Sequence, residues 1–197
     1  MSSVIATTAI RGRFLDIQNT VAQARDIHDQ VRYVEDGLLL SENGIIQWFG
    51  PWDEGQRLIP EQVQVQHYPD QLIVPGFIDT HIHFPQTEMI ASYGEQLLEW
   101  LNSYTFPTER KFADAGYARQ RAGFFIDELL RNGTTTALVF ATVHPQSVDA
   151  LFEAAAAKQM RLIAGKVLMD RNAPDYLRDT AQRGYDESRA LIRKWHH

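Results

Sequence analysis

The chain of 197 residues contains no cysteine. That excludes disulfides and every thiolate metal site, including the cysteine-ligated zinc deaminases, and it fits a reducing compartment. An excess of basic charge is also missing. Lys and Arg number 19 against 25 Asp and Glu, a formal net charge of −6. With no basic stripe along any segment, a nucleic-acid partner is excluded. Long apolar runs are lacking too: residues 136–142 form one of the longest, far short of the ~20 residues that a membrane-spanning helix needs. No basic stretch followed by an apolar one opens the chain, so no signal peptide is expected. The expectation from these absences is a cytoplasmic soluble protein with no membrane partner. No internal repeat or low-complexity tract is visible.

What is present reads as two different patterns. Hydrophobic residues make up 44% and charged residues 22%, as in ordinary globular domains. Residues 4–73 read as β. Short strands at 31–34, 38–40 and 45–49 are separated by the turn pairs Asp36-Gly37 and Asn43-Gly44, and residues 63–68 alternate apolar and polar. A boundary falls at residues 69–75, where prolines bracket Leu72-Ile-Val74. Beyond it strands alternate with helices. Strands are expected at 77–83, 134–140 and 162–168, and helices at 94–103, 114–131, 146–158 and within 174–194, with Asn132-Gly133 as a stop signal. Apolar strands separated by helices indicate parallel βαβ units buried on both faces. The fold expected is α/β, a portion of a (β/α)8 barrel over residues 75–197 preceded by a small β segment over residues 1–74. A complete barrel takes roughly 250 residues, so three strand–helix units are expected to be incomplete. The closing Trp195-His-His197 carries no readable structural signature.

The densest information lies in Val74-Pro-Gly-Phe-Ile-Asp-Thr-His-Ile-His-Phe-Pro-Gln86. On an alternating strand Phe77, Asp79, His81 and His83 face one way, and Ile78, Thr80, Ile82 and Phe84 the other. Two imidazoles side by side on one strand make half of a metal site. The spacing alone is weak, because seven histidines in 197 positions give about 0.25 such pairs by chance. The context is stronger: the pair ends a strand of a β/α pattern, where barrel enzymes place their chemistry. Asp79 shares the face and is a candidate to fix an imidazole tautomer.

Pro75-Gly-Phe-Ile-Asp-Thr-His-Ile-His83 resembles the first-strand signature of the amidohydrolase superfamily, metal hydrolases on a (β/α)8 barrel that commonly carry a small β-sandwich. Within it, His81-Ile-His-Phe-Pro-Gln86 followed by Leu97-Leu-Glu-Trp-Leu-Asn-Ser-Tyr-Thr-Phe-Pro107 is similar to the guanine deaminase branch. The resemblance spans essentially this whole chain and corresponds to the N-terminal portion of such an enzyme. It implies hydrolytic deamination of guanine to xanthine and ammonia, with His81 and His83 as ligands of zinc. Ferrous iron suits imidazole sites as well. His83, Phe84, Pro85 and Gln86 are the implied purine-binding residues, and the partner implied is a small-molecule purine, with a homodimer suggested as the assembly. The remaining metal ligands, the proton shuttle and an Arg-Phe pair that holds guanine are implied beyond residue 197, so this chain alone is expected to be inactive. Two alternatives stay open: another deaminase or cyclic-amide hydrolase of the superfamily, or a non-catalytic product that acts by self-association.

Other residues have more ordinary readings. His144 and Asp170 follow strands and so share the presumed active face, but also read as loop residues. His28 and His67 read as solvated or packing residues, and Glu88 and Glu95 as surface charges that double as candidate pocket carboxylates. The stripe Leu97, Trp100, Leu101 reads as core or lid packing. Gly133 to Thr136 reads as a turn into a strand, without a phosphate-binding pattern.

Overall fold

The computed structural model describes residues 6–18, 28–94 and 96–196. These fall into two units, Met1–Pro75 and Gly76–His197. The first holds one four-stranded sheet of order β3-β2-β1-β4, formed by β1 (Thr7–Ile17), β2 (Val31–Glu42), β3 (Ile45–Pro51) and β4 (Val65–Ile73). β1 pairs antiparallel with β2 and parallel with β4, and β2 pairs antiparallel with β3. Asn43 and Gly44 both take positive φ, 50° and 80°, the geometry a two-residue hairpin needs to match strand twist. Ala9, Leu38 and Leu40 form the buried centre, covered by Trp48, Val65 and the short helix α1 (Trp52–Gly55).

Two local expectations for this unit are corrected. Asp36-Gly37 is not a turn: β2 runs unbroken from Val31 to Glu42. Gly37 pairs with Gly12 on one side and Pro51 on the other, and Asp36 is held extended by a two-pronged ion pair with Arg11 (2.7 and 2.6 Å). Pro69 likewise does not end a strand. It lies inside β4 at an irregularity, where the pairing jumps from Tyr68 to Leu72; a bulge is the place a sheet tolerates a residue with no N–H.

The second unit carries a three-stranded parallel sheet of order β5-β6-β7, from β5 (Phe77–His83), β6 (Thr134–Phe140) and β7 (Arg161–Gly165). After β5 come a 3-10 turn (Phe84–Met89), helix α2 (Leu97–Trp100), a π turn (Leu101–Thr105) and α3 (Phe106–Arg110). The helical stretch therefore runs past the expected stop at 103. It changes to the wider π geometry just before Pro107, whose missing N–H and bulky ring disfavour a regular turn. Helix α4 (Ala115–Arg131) opens on Asp114, whose carboxylate accepts from the Tyr117 N–H at 2.6 Å. Its buried residues Ala118, Ala122, Phe125, Ile126 and Leu129 recur at helical spacing and meet α5 (Pro145–Ala157) over β6. Helix α6 (Ala181–Trp195) opens at the Thr180 cap, inside the range expected for it, and ends one residue past that range. Trp195 has a structural role after all: its indole donates to Asp149 (2.7 Å) and stacks on Phe152, fastening α6 to α5. His197 lies outside the described residues.

Gly76 is dictated by a close approach. Thr135 is an extra residue in β6 opposite the start of β5, and a Cβ on Gly76 would meet its hydroxyl at 2.1 Å.

The expectation of strands buried on both faces holds for none of the three strands. Ala137 and Val139 of β6 are buried beneath the helices. Leu138, Phe140 and Ile163 face the opposite way and are 41%, 41% and 54% exposed. Helices cover only one face of this sheet. β7 also stops at Gly165 instead of 168, because its partner β6 ends at Phe140.

Ile126 is fully buried between α4 and its neighbours. Ile126→Ala is expected to lower the unfolding free energy by about 2–5 kcal/mol in a urea titration. Phe124→Ala on the exposed side of the same helix should change it by less than about 0.5 kcal/mol.

Candidate functional site

β5 delivers the two histidines to the open face of the sheet. Between Asp79 and Ile82 the strand contains one residue more than β6 opposite it. At this bulge the Asp79 carboxylate accepts from the backbone N–H of His81 at 2.9 Å. Asp79 thus braces the main chain beneath the ligand pair and does not fix an imidazole tautomer. His81 and His83 converge, with Nε2 atoms 3.3 Å apart and ring centroids 5.2 Å apart. Phe140, abreast of His83 in the parallel register, stacks on it at 4.8 Å and also meets His81 at 5.1 Å. Burial, and then the neighbouring His81, hold the His83 imidazole below its ordinary pKa. This favours the neutral form, which is the one that ligates metal.

The spacing of the pair tests its fitness for a metal. Two nitrogens bound at 2.0–2.1 Å to one tetrahedral ion lie about 3.3–3.4 Å apart, the separation found here. Without an ion the same distance suits one Nε2–H donating to the other ring. Among the described residues no group of three or more His, Cys, Asp and Glu is placed to hold an ion. Among the described residues the pair thus stands as two donors and not a full set.

A cleft of about 530 Å3 opens beside the pair, lined by His81, His83, Gln86, Thr87 and, from α4, Phe124 and Glu128 among others. Gln86 lines this cleft together with the histidines. Phe84 and Pro85 present no side chain to it. Phe84 is fully buried against Phe112 and Phe125, at 5.0 and 5.3 Å, so it anchors the loop on which Gln86 stands.

Glu88 is not a pocket carboxylate. It pairs with Arg121 (2.8 Å) and Lys111 (3.2 Å) and accepts from the Tyr117 hydroxyl (2.5 Å). Burial opposes its ionisation, but the Tyr117 and Lys111 hydrogen bonds and the nearby cations outweigh that and keep its pKa low. Glu95 lies outside the described residues. His28 and His67 are exposed, and Asp170 is exposed beside Arg171. Leu97 is 70% exposed, so the stripe with Trp100 is not core; Trp100 instead donates to the Ser92 carbonyl at 3.3 Å.

His144 lies beyond β6 at the start of α5 and does not line the His81 cleft. Burial, then the charges of Arg183 and Lys166, lower its pKa against a smaller opposing pull from Glu187. Beside it, Lys166 is completely buried and held by Asp179 and Glu187 (2.7 Å to the latter). Arg183 in turn donates to Glu187 at 2.8 Å. The network ties the segment after β7 to α6. A lysine inside an otherwise apolar run was its sequence signal. Glu109 had none: it is buried on α3 with one carboxylate oxygen unpartnered, and burial raises its pKa to about 7.

Parallel strands alternating with helices, with paired imidazoles ending the leading strand, define the class of this unit: an α/β fold with a parallel sheet. The amidohydrolase family model matches residues 72–197, and the chain belongs to the amidohydrolase family. The chain is 59% identical over 196 residues to guanine deaminase of Escherichia coli K12, covering all of this chain and 45% of that protein. It is 38% identical to a probable guanine deaminase of Deinococcus radiodurans, over 90% of this chain and 42% of that one. In structure it matches E. coli guanine deaminase with a TM-score of 0.89 at 54% identity, over 97% of this chain and 43% of the other. A C. acetobutylicum guanine deaminase with bound guanine matches with a TM-score of 0.78 at 28% identity, over 96% and 43%. The chain spans under half the length of these relatives, and its fold is an α/β portion of their barrel.

Because the folded state raises the Glu109 pKa above its ordinary 4.5 to about 7, folding favours the protonated acid. Its contribution is fully present below about pH 4.5 and is lost as pH rises through 7. Glu109→Gln should therefore stabilise the chain at pH 8 by up to about 3 kcal/mol, with the gain vanishing near pH 4. Urea titrations at both pH values check this, and an equal effect at both removes the assigned cause.

Proposed function

We propose that this chain is the metal-pair-bearing portion of a guanine deaminase, an enzyme that hydrolyses guanine to xanthine and ammonia. The observation that carries the reading is the 3.3 Å convergence of the His81 and His83 Nε2 atoms in the cleft that also holds Gln86. The 59% identity to E. coli guanine deaminase over the whole chain supports the substrate. Two more distant structures of the same fold, an adenosine deaminase of Xanthomonas campestris and an atrazine chlorohydrolase of Arthrobacter aurescens, hold zinc, which is the metal proposed here, with ferrous iron as the other ion that imidazoles suit.

His81 and His83 would hold the ion through neutral Nε2 atoms. When bound, zinc supplies Lewis acidity that makes water nucleophilic near neutral pH. The chain's own residues bind and orient. Gln86 presents a donor and an acceptor on one carboxamide, which complements a purine edge that carries both. Phe140 fixes the imidazole planes by stacking, and Phe84 and Pro85 root the loop in the core. The proton shuttle and remaining ligands belong to the rest of the enzyme in this reading. So does the homodimer that the resemblance suggests. The four-stranded unit is proposed as one layer of a sandwich, and the cysteine-free composition favours a cytoplasmic setting.

The test is ammonia release from guanine by the chain joined to the remaining length of E. coli guanine deaminase. Turnover supports the reading; a zinc-loaded, folded protein with no turnover on guanine leaves only the metal-hydrolase class. In the chain as it stands, His81→Ala is expected to abolish zinc binding measured by chelator competition, and retained zinc removes His81 from the ligand set. In the joined protein, Gln86→Ala should raise KM for guanine roughly tenfold or more with zinc content unchanged. Zinc loss in that variant would place Gln86 at the metal.

A further inference from the structure

The turn that carries Gln86 is gripped at both ends by residues that flank α3. Its first residue, Phe84, is fully buried and meets Phe112 edge-on at 5.0 Å. Its last, Met89, is buried, and its sulfur accepts from the buried Thr105 hydroxyl at 3.5 Å. Thr105 immediately precedes α3, and Phe112 lies in the 3-10 turn that follows it (Lys111–Ala113). Both grips therefore move when α3 moves. Gln86 and Thr87 stand between them and line the cleft beside the imidazoles. A helix of five residues does not hold itself. α3 keeps its place by packing against the Gln86 turn, the π turn before it and the 3-10 turn after it.

Within that grip stands an acid. Glu109 is 5% exposed, and among the described residues its Oε2 has no partner. The charges on α3 and on the elements packed against it are committed elsewhere. Glu88 on the Gln86 turn is bound by Arg121, Lys111 and Tyr117, and Lys111 is the cation of the 3-10 turn. Arg110, the next residue of α3, lies over the Tyr176 ring at 5.0 Å. The π turn carries the phenol of Tyr104 and no charged residue. None of these gives Glu109 a counter-charge, and burial raises its pKa to about 7. We infer that Glu109 is a positioning residue for Gln86: with its carboxyl neutral, α3 stays packed under the turn Phe84–Met89, and with the carboxyl ionised α3 swings toward water and the turn loosens. The role of Gln86 toward a purine rests on the proposed function; the link between Glu109 and the turn does not. A carboxylate without a donor is costly inside apolar packing, and displacement of a single-turn helix returns it to water. The packed arrangement takes up the proton, so it is favoured in acid and weakened as pH rises through 7. The imidazoles are held instead by the Asp79 brace and by Phe140, so the coupling reaches Gln86 and leaves the pair in place.

The experiment is hydrogen exchange of the 197-residue chain at pH 6 and pH 8, read by mass spectrometry and corrected for intrinsic rates. With a pKa of 4.5 when exposed and about 7 when packed, an opening that frees Glu109 is about tenfold more populated at pH 8 than at pH 6. The slowest amides of α5 report global unfolding. Those of the Gln86 turn and α3 should exchange faster than these at both pH values. They should also accelerate about tenfold from pH 6 to pH 8, and show no acceleration in Glu109→Gln. Equal exchange of the turn at both pH values, turn amides as slow as those of α5, or an acceleration that persists in Glu109→Gln overturns the inference. If Glu109→Gln does not fold, Glu109→Leu, neutral and of similar volume, takes its place. In the joined protein, KM for guanine should climb several-fold from pH 6 to pH 8 and stay level in Glu109→Gln, with kcat and zinc content following one course in both. KM profiles that coincide overturn the positioning role. Absence of turnover on guanine at either pH, beside the expected exchange, sustains the coupling of Glu109 to the turn and removes only the substrate reading.

Discussion

The parallel pairing of β6 with both of its neighbours is the constraint on which the second unit depends. It sets His83, Phe140 and Gly165 abreast, so the ends of three successive strands lie at one level. From that level the chain launches every feature of chemical interest: the imidazole pair, the His144 turn and the buried lysine. Alternation along β6 then divides labour between the faces. Ala137 and Val139 go under the helices, and Leu138 and Phe140 go to the side that carries the histidines. A slip of one residue in β6 would exchange the two sets and turn Leu138 and Phe140 toward the helices.

Much of this organisation was legible in the residues. The change from period-two to helical spacing near residue 75, the Asp114 and Asn132-Gly133 signals around α4, and the shared face of His81 and His83 all rest on local chemistry. Local chemistry was misleading where a partner strand overruled it. Asp36-Gly37 has turn residues but sits between two strands that each offer it ladder bonds. Pro69 has the look of a terminator but is absorbed by a bulge. Asp79 shares a face with the imidazoles, yet a bulge brings the His81 amide within its reach first. Phe140 beneath the rings could not be read from spacing, because it becomes a neighbour only through register between strands far apart in sequence. Glu88 was ambiguous for the same reason: its cations come from α4 and the turn before it.

Two buried ionisable groups show opposite solutions to one problem. Lys166 enters the interior between two carboxylates, and the ion pairs make the network a brace. Glu109 enters with no cation and one free oxygen, and burial favours its neutral form. Burial also opposes ionisation of Asp179 and Glu187, but hydrogen bonds from Lys166 and the nearby cations outweigh it and hold both carboxyls below their ordinary pKa, whereas burial lifts Glu109 to about 7. Helix α3, which carries Glu109, packs against the turn that bears Gln86, so that turn stands on a segment whose ionisation cost changes across the physiological range.

The bulge at Thr80 and His81 has a consequence for the order in which the imidazole pair is arranged. Asp79, the bulge and Phe140 stacked from β6 hold the two rings within this unit. Their rotational freedom is therefore spent when β5 pairs with β6, inside this unit. Any group that bridges the two Nε2 atoms meets donors whose rotamer entropy has already been lost.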